Sequence, residues 1–282
     1  MKRSQKQEYI RIYTLFFITI IVQVMLIVFV EASGDGIQIE TSPQVIQKTL
    51  SGKGINTFQV KVTNKSPFPV EITPEVVDLA IDEYGQNIEI REDSGYGWGL
   101  QDFTQISPKK FILQPGEARY ADIRLEVPDS MLGSRYGILY FAATCPSGKS
   151  CIVMVVRCGS LLIVTAPETE IYNGEVKNIR PIFDNNQGKK LSGFEILFKN
   201  TGNTHISASG NIKISNDQCT PIDSILKGGT GIILPGGVRL YQVGLIKGIP
   251  DGQYEIIVNF MFQGKTASKR ETLQVKNGQV FP

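Results

Sequence analysis

The chain repeats itself, and the repeat limits its fold more than any other feature. Phe58-x-Val60-x-Val62-x-Asn64 recurs as Phe194-x-Ile196-x-Phe198-x-Asn200. In both copies apolar and polar residues alternate as in a half-buried strand, and the closing Asn suits a turn. Further on, Leu113-Gln114-Pro115-Gly116-Glu117-Ala118-Arg119-Tyr120 is matched by Leu234-Pro235-Gly236-Gly237-Val238-Arg239-Leu240-Tyr241, and Val127-Pro128-Asp129 by Ile249-Pro250-Asp251. Each Pro-Asp leads into a tyrosine, Tyr136 or Tyr254, that opens a strand. Landmarks in the same order twice imply one structural unit used twice.

The unit is built of strands. Ala121, Ile123, Leu125 and Val127 alternate with Asp122, Arg124 and Glu126, and no long stretch after residue 36 has helical periodicity. Turns marked by Pro or Gly separate short apolar runs, which predicts an all-β protein of two tandem immunoglobulin-like sandwiches. Their expected extents are residues 37–166 and 168–278, joined near Ala166-Pro167-Glu168. Gly252-Gln253-Tyr254 has the local form of a tyrosine corner, in which the hydroxyl ties back to an upstream backbone group. The first unit is the larger because it carries extra residues that include Glu83 to Gly99, expected as an exposed loop or hairpin. Within it Trp98 is expected either to grip a sugar or protein or to cap the first core.

A length of 282 residues suits two ordinary domains, and 41% hydrophobic residues give them cores. Lys plus Arg at 29 against Asp plus Glu at 27, with no run of like charge, lacks the footprint of a nucleic-acid binder. One histidine in the whole chain, His205, removes most metal sites and imidazole-activated nucleophiles. No enzyme activity, cofactor or metal is therefore expected, and His205 reads as a surface or packing residue. The carboxylate pairs Asp78 with Asp82 and Glu83 with Glu89 read as solvated loop residues. Ser147-Gly148-Lys149-Ser150 lacks the first glycine and following helix of a phosphate loop and reads as a hairpin tip.

Lys2, Arg3, Lys6 and Arg11 precede an apolar run from Tyr13 to Val30. Residues 1–36 are expected to be either a secretory signal peptide cut after Ala32 or a retained membrane anchor. In both cases the basic flank stays in the cytoplasm and the remainder is exported, to a periplasm or cell surface. That compartment permits disulfides. Cys145 and Cys151 flank a turn-rich loop between two apolar runs and are expected to staple a hairpin, with Cys158 and Cys219 as buried thiols.

The segment Ile152 to Val164 is apolar on both faces. Ile152, Met154, Val156 and Cys158 fall on one side, Val153 and Val155 on the other, and Leu161 to Val164 is apolar throughout. It is either a last strand buried between a core and the neighbouring domain or an edge that recruits a strand from another chain. Exposed apolar edges are normally avoided, so the second reading requires a partner. The candidate partner-binding residues are Ile152, Met154, Val156 and Arg157.

On these residues the first unit resembles the PapD-like periplasmic pilus chaperones. The resemblance runs from Pro43-Gln44-Val45-Ile46 through Phe58 to Asn64 with Pro69. It continues through Phe111-x-Leu113-x-Pro115-Gly116, Arg119 and Val127-Pro128 to the strand Tyr136 to Phe141. It implies two immunoglobulin-like domains and a late strand of the first that complements an incomplete pilus subunit. Where that family holds a subunit's carboxylate with an early Arg and a late Lys, this chain has Gln44 and Leu162; Arg157 is the nearest late cation. The doubled Leu-Pro-Gly architecture is also similar to tandem surface proteins that partner WxL-domain proteins. The first resemblance implies a chaperone-like protein capturing pilus or surface subunits by strand addition. The second implies a structural or adhesive module binding cell-wall polymer or another surface protein through loops such as Glu83 to Gly99.

Overall fold

The computed structural model describes residues 36–50, 55–91, 96–146, 154–184, 190–216, 219–228, 231–245, 249–276 and 279–281. Residues 1–35 of the expected signal or anchor lie outside the described residues, as do Cys151, Ile152 and Val153. Among the described residues no helix is long and apolar enough to cross a membrane.

The first unit contains β1 (Ile39–Ser42), β2 (Val45–Thr49), β3 (Asn56–Asn64), β4 (Val70–Ile81), β5 (Asn87–Ile90), β6 (Thr104–Ser107), β7 (Phe111–Leu113), β8 (Ala118–Leu125), β9 (Ser134–Thr144) and β10 (Val156–Thr165). The second contains β11 (Gly174–Asp184), β12 (Lys190–Asn200), β13 (Ser209–Asn216), β14 (Cys219–Ile225), β15 (Lys227–Gly228), β16 (Val238–Gly244), β17 (Gly252–Phe262), β18 (Lys265–Lys276) and β19 (Gln279–Phe281). Each unit is a sandwich of two sheets. The first pairs β1-β3-β8-β6 with β2-β10-β9-β4-β5, where β7 also joins β4; the second pairs β11-β12-β16-β15 with β14-β13-β17-β18-β19. The protein is thus all-β, with two tandem immunoglobulin-like sandwiches.

Alternation sets which face is inside. In β8, Ala121, Ile123 and Leu125 are fully buried while Asp122 and Arg124 face solvent. Across the sandwich they meet Leu139 and Phe141 of β9 and Leu162 and Val164 of β10. Burying a side chain of the Leu or Phe class contributes about 1.5–3 kcal/mol, so the two inner faces carry most of each unit's stability. The second core repeats the plan around Phe194, Ile196 and Phe198 of β12 and Tyr254, Ile256, Val258 and Phe260 of β17.

The repeat holds at the level of single atoms. Asn64 is fully buried at the end of β3, and its amide nitrogen donates to the carbonyls of Phe68 and Leu113 at 2.9 and 3.1 Å. Its amide oxygen accepts from the Ser66 N–H. Asn200, equally buried, donates to the carbonyls of Thr204 and Ile233, both at 2.8 Å, and accepts from the Gly202 N–H. Gly116 and Gly236 sit at φ 73° and 75° in the matching Pro-Gly turns and donate to the Asn64 and Asn200 carbonyls. These bonds match Leu113 to Ile233, one residue before the Leu234 that the sequence alignment chose. Leu234 instead packs outside its own core.

Where it packs is the junction of the units. Leu79, Tyr136, Ile138 and Ile163 of the first unit and Leu234 of the second form a separate apolar cluster, with Trp98, Tyr140, Leu161 and Ile232 at its margin. Trp98 therefore neither caps the first core nor stands free: it wedges between the units, with the Arg135 guanidinium 4.9 Å above its ring. Residues 83–90 of the Glu83 to Gly99 segment form the turn and return strand of a β4–β5 hairpin. It is not simply an exposed loop, because the Glu83 carbonyl accepts the Leu240 N–H at 2.8 Å across the junction. The Ser134 hydroxyl bridges Thr165 at 2.8 Å and Thr204 at 2.6 Å, and the Ser134 N–H donates to the Asn203 carbonyl. Gly133, at φ 68°, precedes that contact; a side chain there would collide with the Asn203 carbonyl.

Candidate functional site

Strand β10 serves two different environments along its length. From Leu161 to Thr165 it pairs with β9 on one side and in parallel with β2 on the other. Leu162 and Val164 point into the first core, whereas Leu161 and Ile163 point into the junction cluster. This half is the buried strand that the apolar sequence allowed.

The first half is different. Val156 to Ser160 pair with Ala143 to Leu139 of β9, but β2 begins its pairing only at Leu161. The Leu161 N–H is donated to Gln44 and the Thr165 carbonyl accepts from Leu50, so odd-numbered residues turn their main-chain groups toward the β2 side. Arg157 and Gly159 turn theirs the same way. Among the described residues no strand receives them; the Thr41 hydroxyl approaches the Gly159 carbonyl at 3.5 Å and the Cys158 sulfur at 3.3 Å. Beyond the strand's start, Met154 and Val155 are 44% and 57% exposed, and Val45 of β2 is 53% exposed. The result is an open strand edge with apolar side chains beside it.

The side chain of Arg157 is committed elsewhere. It lies on the outer face of the sheet with its guanidinium carbon 3.7 Å from the centre of the Tyr140 ring. Nη1 reaches both Glu89 carboxylate oxygens at 3.1 Å, and Nη2 lies 2.6 Å from Glu75. Arg91 closes the set with Glu89 at 2.6 Å and Glu75 at 3.3 Å. Desolvation pushes the Glu89 carboxyl up, but hydrogen bonds from Tyr140, Arg91 and Arg157 outweigh it and hold the carboxyl below its ordinary value. Gly159 leaves room for the Tyr140 ring, which a side chain at that position would strike. Arg157 thus stiffens the edge from one face, its charge met within the sheet. Leu162, one of the two places where a carboxylate anchor was sought, is fully buried; Gln44 is exposed and gives its carbonyl to β10.

Sequence reasoning missed Glu75 and Tyr140, which lie on other strands and carry no local signal, and read Glu89 as a solvated loop residue, whereas it lies on β5 and pairs with Arg91 and Arg157. Of the expected site residues, Met154, Val156 and Arg157 lie along one stretch of chain, while Ile152 lies outside the described residues. Cys145 is disulfide-bonded and Cys158 is a free, half-buried thiol. Among the described residues no cluster of His, Cys, Asp or Glu is arranged to hold a metal ion.

Strand β18, which holds the same place in the second unit, has an edge of another kind. β19 covers only Gln274 to Lys276. The rest carries Lys265, Lys269, Arg270 and Glu271. Lys265 reaches the Tyr172 carbonyl at 2.7 Å and Lys269 the Lys177 carbonyl at 3.1 Å, which draws both lysines across to the facing sheet. Charged edge residues of this kind are how sheets avoid unwanted pairing.

No family profile and no curated protein matches the chain. Among solved structures it is similar to a chain of a chaperone–tip adhesin complex of CFA/I fimbriae biogenesis, at 15% identity and a TM-score of 0.46, over 83% of this chain and 98% of that one. It is similar to the class 5 fimbriae chaperone CfaA at 14% and 0.45, over 85% and 100% of the two chains. The Escherichia coli chaperone DraB follows at 13% and 0.41, over 85% and 97%. All three solved proteins are fimbrial chaperones or contain one; identities and TM-scores this low carry no function across.

Proposed function

We propose that this chain is an exported, non-enzymatic, chaperone-like binding protein of a bacterial envelope. It captures pilus or surface-protein subunits by accepting one of their strands at β10. The observation that carries this reading is the contrast between two equivalent edges, one guarded by lysines and one where, among the described residues, no strand pairs with the β2-facing side of Arg157 and Gly159 and the exposed Met154 and Val155 lie next to it. Main-chain groups of Arg157 and Gly159 supply the affinity of such an addition, and the side chains of Met154, Val155 and Val156 supply its fit. Residues 1–36 deliver the protein across the membrane as a cleaved signal or a retained anchor. Residues 37–166 and 168–278 act as its two units, with Cys145 and Cys151 joined beside the docking strand. The second reading, a structural or adhesive module binding wall polymer or another surface protein through Glu83 to Gly99, has only the exposed Tyr84 and Ile88 to support it, on a hairpin whose turn is bound to the second unit.

The test is capture of envelope subunits by Met154→Arg. The native protein retains them and the variant, which puts a charge at the start of the edge, retains none. Equal retention by both overturns the reading. In the native complex the amides of Arg157 and Gly159 gain protection from hydrogen exchange.

A further inference from the structure

We infer that His205 is a proton-operated latch between the two units: its neutral ring helps to hold them together, and its charged ring lets them separate. The inference is independent of what docks on β10.

The latch is built from groups on both sides of the junction. Tyr136 of β9, fully buried, directs its hydroxyl at His205 of the second unit. That oxygen accepts the His205 backbone N–H at 2.7 Å and lies 3.1 Å from Nδ1, with the two rings edge to face at 5.8 Å. The Tyr136 hydrogen then completes the pair by pointing at Nδ1, which fixes the neutral tautomer protonated at Nε2. Adding a proton to Nδ1 turns that acceptor into a second donor. The Tyr136 hydrogen must leave, and to accept it the Ser134 and Thr204 hydroxyls, which reach the Tyr136 oxygen as well as each other and Thr165, must reorient.

Among the described residues no carboxylate acts on the ring to compensate for the new charge. β9 contributes the Tyr136 hydroxyl, behind which Ser134, Thr165 and Thr204 form a chain of neutral hydroxyls, while Arg135 of the same strand stacks on Trp98. The carboxylate of Asp78 on β4 accepts from the amides of Leu100 and Gln101. Burial accordingly pushes the His205 imidazole below its ordinary 6.5. A depressed imidazole pKa means that the closed arrangement is fully stabilised above about 6.5. That stabilisation is lost as pH falls through the lower value, because the separated state binds the proton more readily. A protein exposed to the medium outside the cell meets such a fall directly.

Since His205 is the only histidine in the chain, its ring resonance in the full-length exported protein reports its titration without ambiguity. The expected midpoint lies below 6.5, and each unit below it corresponds to a tenfold loosening of the junction at acid pH. Exchange of the Ser134 amide, corrected for its intrinsic pH dependence, should rise by that factor between pH 7.5 and pH 5. In His205→Asn, which keeps an acceptor near the Nδ1 position and takes no proton, it should stay flat. A midpoint at or above 6.5, a native junction indifferent to pH, or an equal rise in the Asn variant each overturns the inference. The native titration alone decides it if that variant does not fold.

Discussion

The two units share a plan down to the amide of one asparagine, yet they treat corresponding strands in opposite ways. In the second unit β18 is lined with lysines, and Lys265 and Lys269 fold across to the facing sheet. In the first, the exposed Met154 and Val155 precede β10, among the described residues no strand pairs with the β2-facing side of Arg157 and Gly159, and the Arg157 cation is met by Glu75 and Glu89. One scaffold thus separates what makes the fold from what decides its contacts: the asparagine and the Pro-Gly turn are kept, and the edge is free to change.

The sharpest way to break this comparison is at the part said to be equal. Asn64→Ala and Asn200→Ala each remove two side-chain donors to carbonyls and the acceptor of the Ser66 or Gly202 N–H; the Ile233 carbonyl keeps the Ile206 N–H. Each should cost about 2–4 kcal/mol in denaturant unfolding. A large difference between them would mean that the two turns are not equivalent. Next in size is the edge contrast. The double variant Lys265→Val with Lys269→Val should make β18 self-associate in sedimentation velocity, and a tenfold stronger association corresponds to about 1.4 kcal/mol.

The tyrosines give a finer test. Each is the third residue of its strand, but Tyr254 returns its hydroxyl to the Pro250 carbonyl at 2.9 Å while Tyr136 gives its own to His205. Tyr254→Phe should lower the second unit's stability by about 1 kcal/mol. Tyr136→Phe should leave the first unit's unfolding midpoint unchanged and speed exchange at the Ser134 amide. The smallest effect concerns Glu89, whose carboxyl is held below 4.5 by its partners. Its contribution is present above that value and is lost as pH falls through the lowered one. The Arg157 side-chain N–H resonances should be sharp at pH 6 and broaden as the pH falls past that lowered value.

What the sequence disclosed follows from how local each signal is. Pro115 and Pro235 act on a turn of their own, and Asn64 and Asn200 each close a turn four residues on, so that part of their role is written in short motifs; their bonds to Leu113 and Ile233 are not. The tyrosine corner at Tyr254 spans four residues and was equally legible. The ion pairs of Arg157 and the seat of Trp98 join strands far apart in the chain, and an alternating strand says nothing about which neighbour it will receive. The same blindness explains why Glu83 to Gly99 read as an exposed loop or hairpin with no tie to the second unit: the bond that ties the hairpin's turn down is made by main chain, which no side-chain pattern encodes.

That bond has a consequence of its own. The contacts from the Leu240 N–H to the Glu83 carbonyl and from the Ser134 N–H to the Asn203 carbonyl belong to groups that nearly every amino acid supplies. Ordinary genetic drift at these four positions leaves them intact, and only proline at Leu240 or Ser134 deletes a donor outright. Relatives whose surfaces have diverged beyond recognition can therefore retain the same elbow.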